Sequence, residues 1–223
     1  MELLTLVKQE SPGSYGESTG GQLRLNRRGE LVSNDFIRQA ALDGRMFSIN
    51  CGTISTALTW TATASLDRTK PMLSISVPSG TTIIPVSIEL YMQAYGTNAA
   101  FEVMAEVGTG GTAQGTAVVP ICLRTDAPNT TTITAYELGT AATAPTASIN
   151  EFWRDGQQFA ITKTTAKADS SIYDPNRFTW SLLTSASMPV CVGASQLFIS
   201  QGSNAGTGFL TVCYIEYPST SII

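Results

Sequence analysis

Along most of this chain apolar residues alternate with small hydroxyl-bearing or amide residues, in run after run. Leu58, Trp60, Ala62 and Ala64 interleave with Thr59, Thr61, Thr63 and Ser65, and Leu73, Ile75 and Val77 with Ser74 and Ser76. Ile88, Leu90, Met92 and Ala94 interleave with Glu89, Tyr91, Gln93 and Tyr95; Phe101, Val103, Ala105 and Val107 with Glu102, Met104 and Glu106. A period of two sends successive side chains to opposite faces of a strand, so each run has one core face and one face toward solvent or a partner. Threonine and other β-branched residues suit such a pleated, half-buried surface.

The pattern continues through 117–124, 131–137, 158–162, 177–182, 196–200 and 208–217. Turn residues punctuate it, as at Pro78-Ser79-Gly80, Gly108-Thr109-Gly110-Gly111, Pro128-Asn129 and Asp174-Pro175-Asn176. Many strands, no helical interruption and no fixed repeat predict an all-β, antiparallel two-sheet sandwich rather than a propeller or solenoid. An eight-stranded jelly roll is the first topology. An immunoglobulin-like sandwich is the alternative, without the Cys–Trp–Cys spacing of antibody domains. The Ala/Thr-rich stretch 139–149, with Pro145, reads as a long surface loop.

Residues 1–45 read differently from the sandwich, 46–223. Positions 9–21 are rich in Gly, Ser and Glu and predict an extended arm. The basic group Arg24, Arg27 and Arg28 follows, and then a short helix. Ser33 or Asn34 can cap its start, and Asp35 complements the N-terminal dipole. Phe36, Ile37, Ala40 and Ala41 form its apolar stripe, and Asp43-Gly44 supplies the stop.

The chemistry such a scaffold can support is limited. Charged residues make up 13% of the chain, against ~25% in typical soluble proteins. Histidine is absent, which removes Ser-His-Asp and Cys-His catalysis in their usual forms. Lys8, Lys70, Lys163 and Lys167 have no convincing serine motif beside them. Glu89, Glu102 and Glu106 sit at outward positions, where solvated charges are the ordinary reading and a glycosidase-like carboxylate pair the sharper one.

Asp174-Pro175-Asn176 lacks the glycine and distal glutamate of a calcium loop, and no CxxC spacing suggests zinc. Asn129-Thr130-Thr131 matches a glycosylation sequon, read as chance. Cys51, Cys122, Cys191 and Cys213 each lie in or beside apolar runs and read as buried free thiols. No metal or cofactor is expected, and no enzymatic activity.

A net charge of −4 argues against broad nucleic-acid binding. No apolar run approaches the ~20 residues that cross a bilayer, and the opening Met1-Glu2-Leu3-Leu4-Thr5-Leu6-Val7-Lys8 lacks the form of a secretory signal. Two features stand out. Arg24, Arg27, Arg28, Arg38 and Arg45 form either a solvated face or a surface for docking acidic protein. Phe209-Leu210-Thr211-Val212-Cys213-Tyr214-Ile215 is apolar on both faces, as in a central strand covered twice or a strand at a subunit interface through Leu210, Val212 and Tyr214.

The layout resembles the jelly-roll decoration or cement proteins of tailed bacteriophage heads. The likeness lies in the short arm and Arg-Arg-Gly-Glu-Leu-Val-Ser-Asn-Asp-Phe-Ile-Arg-Gln-Ala-Ala-Leu-Asp-Gly-Arg at 27–45. It runs on through the Thr-rich strands and Pro120-Ile121-Cys122-Leu123-Arg124-Thr125-Asp126 to the closing Tyr214-Ile215-Glu216-Tyr217-Pro218. This resemblance implies a homotrimer on the outer surface of a virion, clamping subunits of the major capsid protein. Arg24, Arg27, Arg28, Phe36, Ile37 and Arg38 are the candidate docking residues. A phage tail, spike or adhesin domain binding a host glycan is the alternative, with Tyr91, Tyr95 and Glu89 as its platform.

Overall fold

The computed structural model describes residues 36–61, 63, 65–94, 100–126, 128–158, 177–202 and 206–221. The arm residues 1–35, including Arg24, Arg27 and Arg28, and the expected turn at 174–176 lie outside them. Ala40–Ile223 forms one compact unit, and 36–39, the described part of the other unit, make the first turn of helix α1, Phe36–Leu42.

Among the described residues thirteen strands follow: β1 Met46–Cys51, β2 Leu58–Thr59, β3 Leu73–Val77, β4 Thr81–Ala94, β5 Ala100–Thr109, β6 Thr116–Val118, β7 Ile121–Cys122, β8 Thr134–Glu137, β9 Ala147–Gln158, β10 Arg177–Ser181, β11 Cys191–Val192, β12 Ser195–Gly202 and β13 Thr207–Pro218. They build two sheets. One runs β10-β4-β13-β1-β7, with β11 also on β4 and β2 on β13; the other runs β6-β8-β3-β12-β5-β9. Every pairing is antiparallel.

The topology follows from ranking the main strands β1, β3, β4, β5, β9, β10, β12 and β13 in chain order. The first pairs with the last, β3 with β12, β4 with β10 and β5 with β9. That is one long antiparallel ribbon. Pairing of β4 with β13 and of β5 with β12 then rolls it into two sheets. This is the jelly roll, and it sets the immunoglobulin-like alternative aside. Short strands β6, β7 and β8 belong to the connection between β5 and β9, which returns to extend both sheets at the β1/β3 side.

The inner faces hold the core expected from the alternation: Leu73, Ile75, Ile88, Leu90, Phe101, Val103, Leu197, Ile199, Leu210 and Val212 are all buried. Phe101 meets Phe178 with ring centroids 5.0 Å apart, and Phe47 stacks on Tyr214 at 5.5 Å. Leu210, Val212 and Tyr214 are fully buried here, so their candidacy as subunit-interface residues is corrected. They face the opposite sheet of the same chain and leave no surface for a second one.

The outer faces of the two sheets differ. On the six-stranded sheet several outward polar positions of β3, β5 and β12 are covered by the chain's own loops, while Glu102 on β5 and Glu151, Arg154 and Asp155 on β9 stay exposed. Arg68 Nε donates to both Glu106 oxygens (2.8 and 2.9 Å), and its Nη2 donates to the Pro145 carbonyl at 3.0 Å. Gly111 N–H donates to Gln196 Oε1, Gln114 N–H to Ser74 Oγ, and Thr63 Oγ1 to the Gln201 carbonyl. Ser74, Glu106, Gln196 and Ser200 are therefore buried although they point away from the core. On the seven-stranded sheet, Asn50, Glu89, Gln93, Arg177 and Thr179 stay exposed.

Helix α1 ends as its residues demand. Gly44 takes φ +69°, its N–H bonds the Ala41 carbonyl, and Arg45 N–H reaches back to Ala40. This is the Schellman closure that a glycine after the last turn permits. Arg124 Nη1 caps the Leu42 carbonyl (2.8 Å), and Asn129 Nδ2 caps Asp43 and Gly44 (3.1 and 2.8 Å). The expected loop at 139–149 ends earlier, because β9 begins at Ala147. All four cysteines are free thiols; Cys51 and Cys191 are buried, and Cys122 and Cys213 are half-buried.

Candidate functional site

Two surfaces stand apart from an ordinary polar exterior. The first is an apolar strip on the returning connection. Val119, Ile121 and Leu123 are spaced by two, which puts them on one side of an extended segment, and they are 79%, 58% and 47% exposed. Ile121 lies opposite Ser48 in the β1–β7 pair, and Leu123 N–H bonds the Met46 carbonyl. Among the described residues β7 ends its sheet, so the strip lies along a sheet edge, where outward backbone groups have no strand partner.

The second surface is the open outer face of the seven-stranded sheet. Register places Arg177, Tyr91 and Phe209 in one row across β10, β4 and β13, and Thr179, Glu89, Thr211 and Asn50 in the next, ending on β1. Arg177 Nη2 bonds Glu89 Oε2 at 2.7 Å, with both side chains well exposed. Asn50 Oδ1 accepts from Thr211 Oγ1 at 3.0 Å.

Two clefts complete the picture. One, of about 460 Å³, is lined by Arg45, Asn129, Thr132, Glu216 and Tyr217 among others. Arg45 stacks over the Tyr217 ring at 5.1 Å. Glu216 is held by the Thr131 hydroxyl and by Thr132 through its N–H (3.0 Å) and Oγ1 (2.8 Å). These contacts tie the connection to β13. The other cleft, of about 320 Å³, is lined by Asn50, Thr53, Thr56, Val119 and Glu137.

Burial raises the Glu137 carboxyl above its ordinary value, while the Gly52 N–H and the Cys51 thiol, as donors, act against the shift. Desolvation, with the Glu137 charge beside it, pushes the Cys51 thiol up, and burial pushes Cys191 up to about 12. Neither is a poised nucleophile.

A raised carboxyl means that the folded state holds the proton more tightly than the unfolded chain. Stability is then fullest below the ordinary value of 4.5 and declines as pH rises through the raised one. Glu137→Gln should remove that decline. Urea midpoints compared at about pH 4 and about pH 7 should converge for the two proteins in acid and separate at neutrality in favour of the variant. Parallel pH dependences would contradict this.

The carboxylates do not converge. Glu89 lies on β4 of one sheet, and Glu102 and Glu106 on β5 of the other. Four residues of strand separate the latter two by ~13 Å, beyond glycosidase spacing, and Glu106 is locked to Arg68. The Asn129 amide is committed to backbone carbonyls, which leaves the sequon a structural role.

Of the candidate docking residues, Phe36 and Arg38 are exposed on α1 and Ile37 is half-buried. Tyr95, like Arg24, Arg27 and Arg28, lies outside the described residues. Val119, Ile121 and Leu123 share one side by their spacing of two, but sequence does not tell that this side is exposed; Asn50, Arg177 and Phe209 come together only through strand register, a tertiary property. Among the described residues no cluster of three His, Cys, Asp or Glu is placed to hold a metal, and no helix is long and apolar enough to cross a membrane. Comparison with protein-family models, curated proteins and solved structures yields no match.

Proposed function

We propose that this chain is a structural virion protein, a jelly-roll decoration protein that binds the major capsid protein lattice on the outer surface of the particle and associates with copies of itself as a homotrimer. The observation that carries the reading is the exposed strip Val119, Ile121 and Leu123 along the free edge of β7. An apolar row beside unpaired strand backbone favours a protein partner over water. The low charge suits a chain that works within an assembly and need not stay dispersed alone. The fold itself argues weakly, since jelly rolls serve many functions.

In this reading Arg24, Arg27, Arg28, Phe36, Ile37 and Arg38 add contacts to the same lattice, each exposed ion pair contributing only ~0–1 kcal/mol. Any subunit interface uses surfaces other than the buried Leu210, Val212 and Tyr214. The test is occupancy of purified particles by the full chain and by Val119→Glu/Ile121→Glu, compared after density-gradient separation. Both substitutions fall on exposed side chains, so thermal stability should hold while occupancy falls at least about tenfold across a multivalent contact. Equal occupancy would refute the assignment of the strip.

A further inference from the structure

We propose that the open outer face of the seven-stranded sheet binds a neutral polysaccharide, presented as a run of unsubstituted hexopyranose units. This goes beyond the assembly role and stands on different residues. The two rows Arg177–Tyr91–Phe209 and Thr179–Glu89–Thr211–Asn50 cross adjacent strands in register. Three gaps between the four strands span ~14 Å, enough for an extended ligand to lie across them.

Tyr91 and Phe209 are half-buried, so each ring is backed by the sheet and retains open surface. The Phe209 ring lies against Gly52, whose φ is +93°; a Cβ there would come within 2.9 Å of the ring. Glycine therefore lets the ring settle low on the face. Aromatic rings held this way match the C–H face of a pyranose, which is apolar, while its hydroxyls need partners at the rim.

Those partners are present. Glu89 and Arg177 share one bond of 2.7 Å, with side chains 48% and 60% exposed. The pair sets carboxylate acceptors beside guanidinium donors. Neighbouring hydroxyls of one sugar can use both, one donating to Glu89 and the next accepting from Arg177. Asn50 Oδ1 accepts from Thr211 Oγ1 and Ser48 Oγ, which leaves the amide NH₂ as a further donor. The ion pair neutralises the face, and the chain carries −4 overall, so an acidic polymer gains nothing here. A nucleic acid would need more cations than one arginine.

The experiment titrates full-length, ¹⁵N-labelled protein with maltohexaose, cellohexaose, mannohexaose and laminarihexaose, with oligogalacturonate as the acidic comparison. At least one neutral hexaose should bind with a Kd below about 1 mM and shift amides of β4, β13 and the end of β1. Tyr91→Ala and the isosteric Glu89→Gln should each weaken it about tenfold or more. Glu89→Gln alters an exposed side chain and should leave both the melting temperature and the particle occupancy unchanged, which separates this proposal from the assembly role. No shift with any neutral hexaose at about 10 mM, preference for oligogalacturonate, or binding undiminished in both variants would overturn it.

Discussion

Replacing Arg68 by alanine should destabilise the fold by about 3 kcal/mol, although the residue lies far from the core. Its guanidinium neutralises Glu106, whose side chain is 2% exposed. Without Arg68 the carboxylate remains under the loops that cover the six-stranded sheet, unpaired and away from water. Removing one partner of a buried pair typically costs ~3–5 kcal/mol, and the lower end applies because the Arg68 side chain is 36% exposed. The Pro145 carbonyl also loses its donor at 3.0 Å. The measurement is urea unfolding of Arg68→Ala, Glu106→Leu and the double variant. The double variant should recover much of the loss, since replacing a buried pair by apolar groups is often neutral. Additive losses would show that the pair does not hold the outer layer.

Gly208→Ala should cost about 3 kcal/mol, which in a chain of this size lowers the melting temperature by ~6–12 °C. Gly208 lies on β13, where an added Cβ would meet the Tyr91 carbonyl oxygen at 2.1 Å and the Trp60 ring at 2.7 Å. Neither can retreat easily. The carbonyl belongs to the backbone of the central β4–β13 pair, and Trp60 is 1% exposed. Gly80→Ala is the control. Its φ of +84° strains any side chain, but nothing lies within 4 Å, so the loss should stay near ~1 kcal/mol. Calorimetry that ranks the two alike would contradict the close approach at Gly208.

The alternation in β4, β5 and β13 made the sandwich and its core legible, because one face of each strand is apolar at every second position. β9 escaped detection. A register shift beside Ala105/Glu106 breaks its period, and most of its residues are polar. The covered outer layer was not legible either. Ser74, Glu106, Gln196 and Ser200 read as a solvent-facing set, and only the loops that fold over them reveal otherwise.

The two-sided character of β13 admitted two readings. Burial of Leu210, Val212 and Tyr214 against the opposite sheet resolves their side of it. Glu89 and Tyr91 could be named as a platform from one strand, whereas Arg177, Phe209 and Asn50 join them only through the pairing of strands distant in sequence. The jelly roll's strand order has the same origin: strand count suggests it, and only long-range pairing fixes it.

The assignment to a capsid exterior is tested most directly by a cryo-EM reconstruction of particles carrying the full chain, at a resolution that distinguishes side chains. The account requires Val119, Ile121 and Leu123 to pack against the shell or a neighbouring copy. A map in which that strip faces open solvent, or a particle to which the chain does not attach, would contradict it.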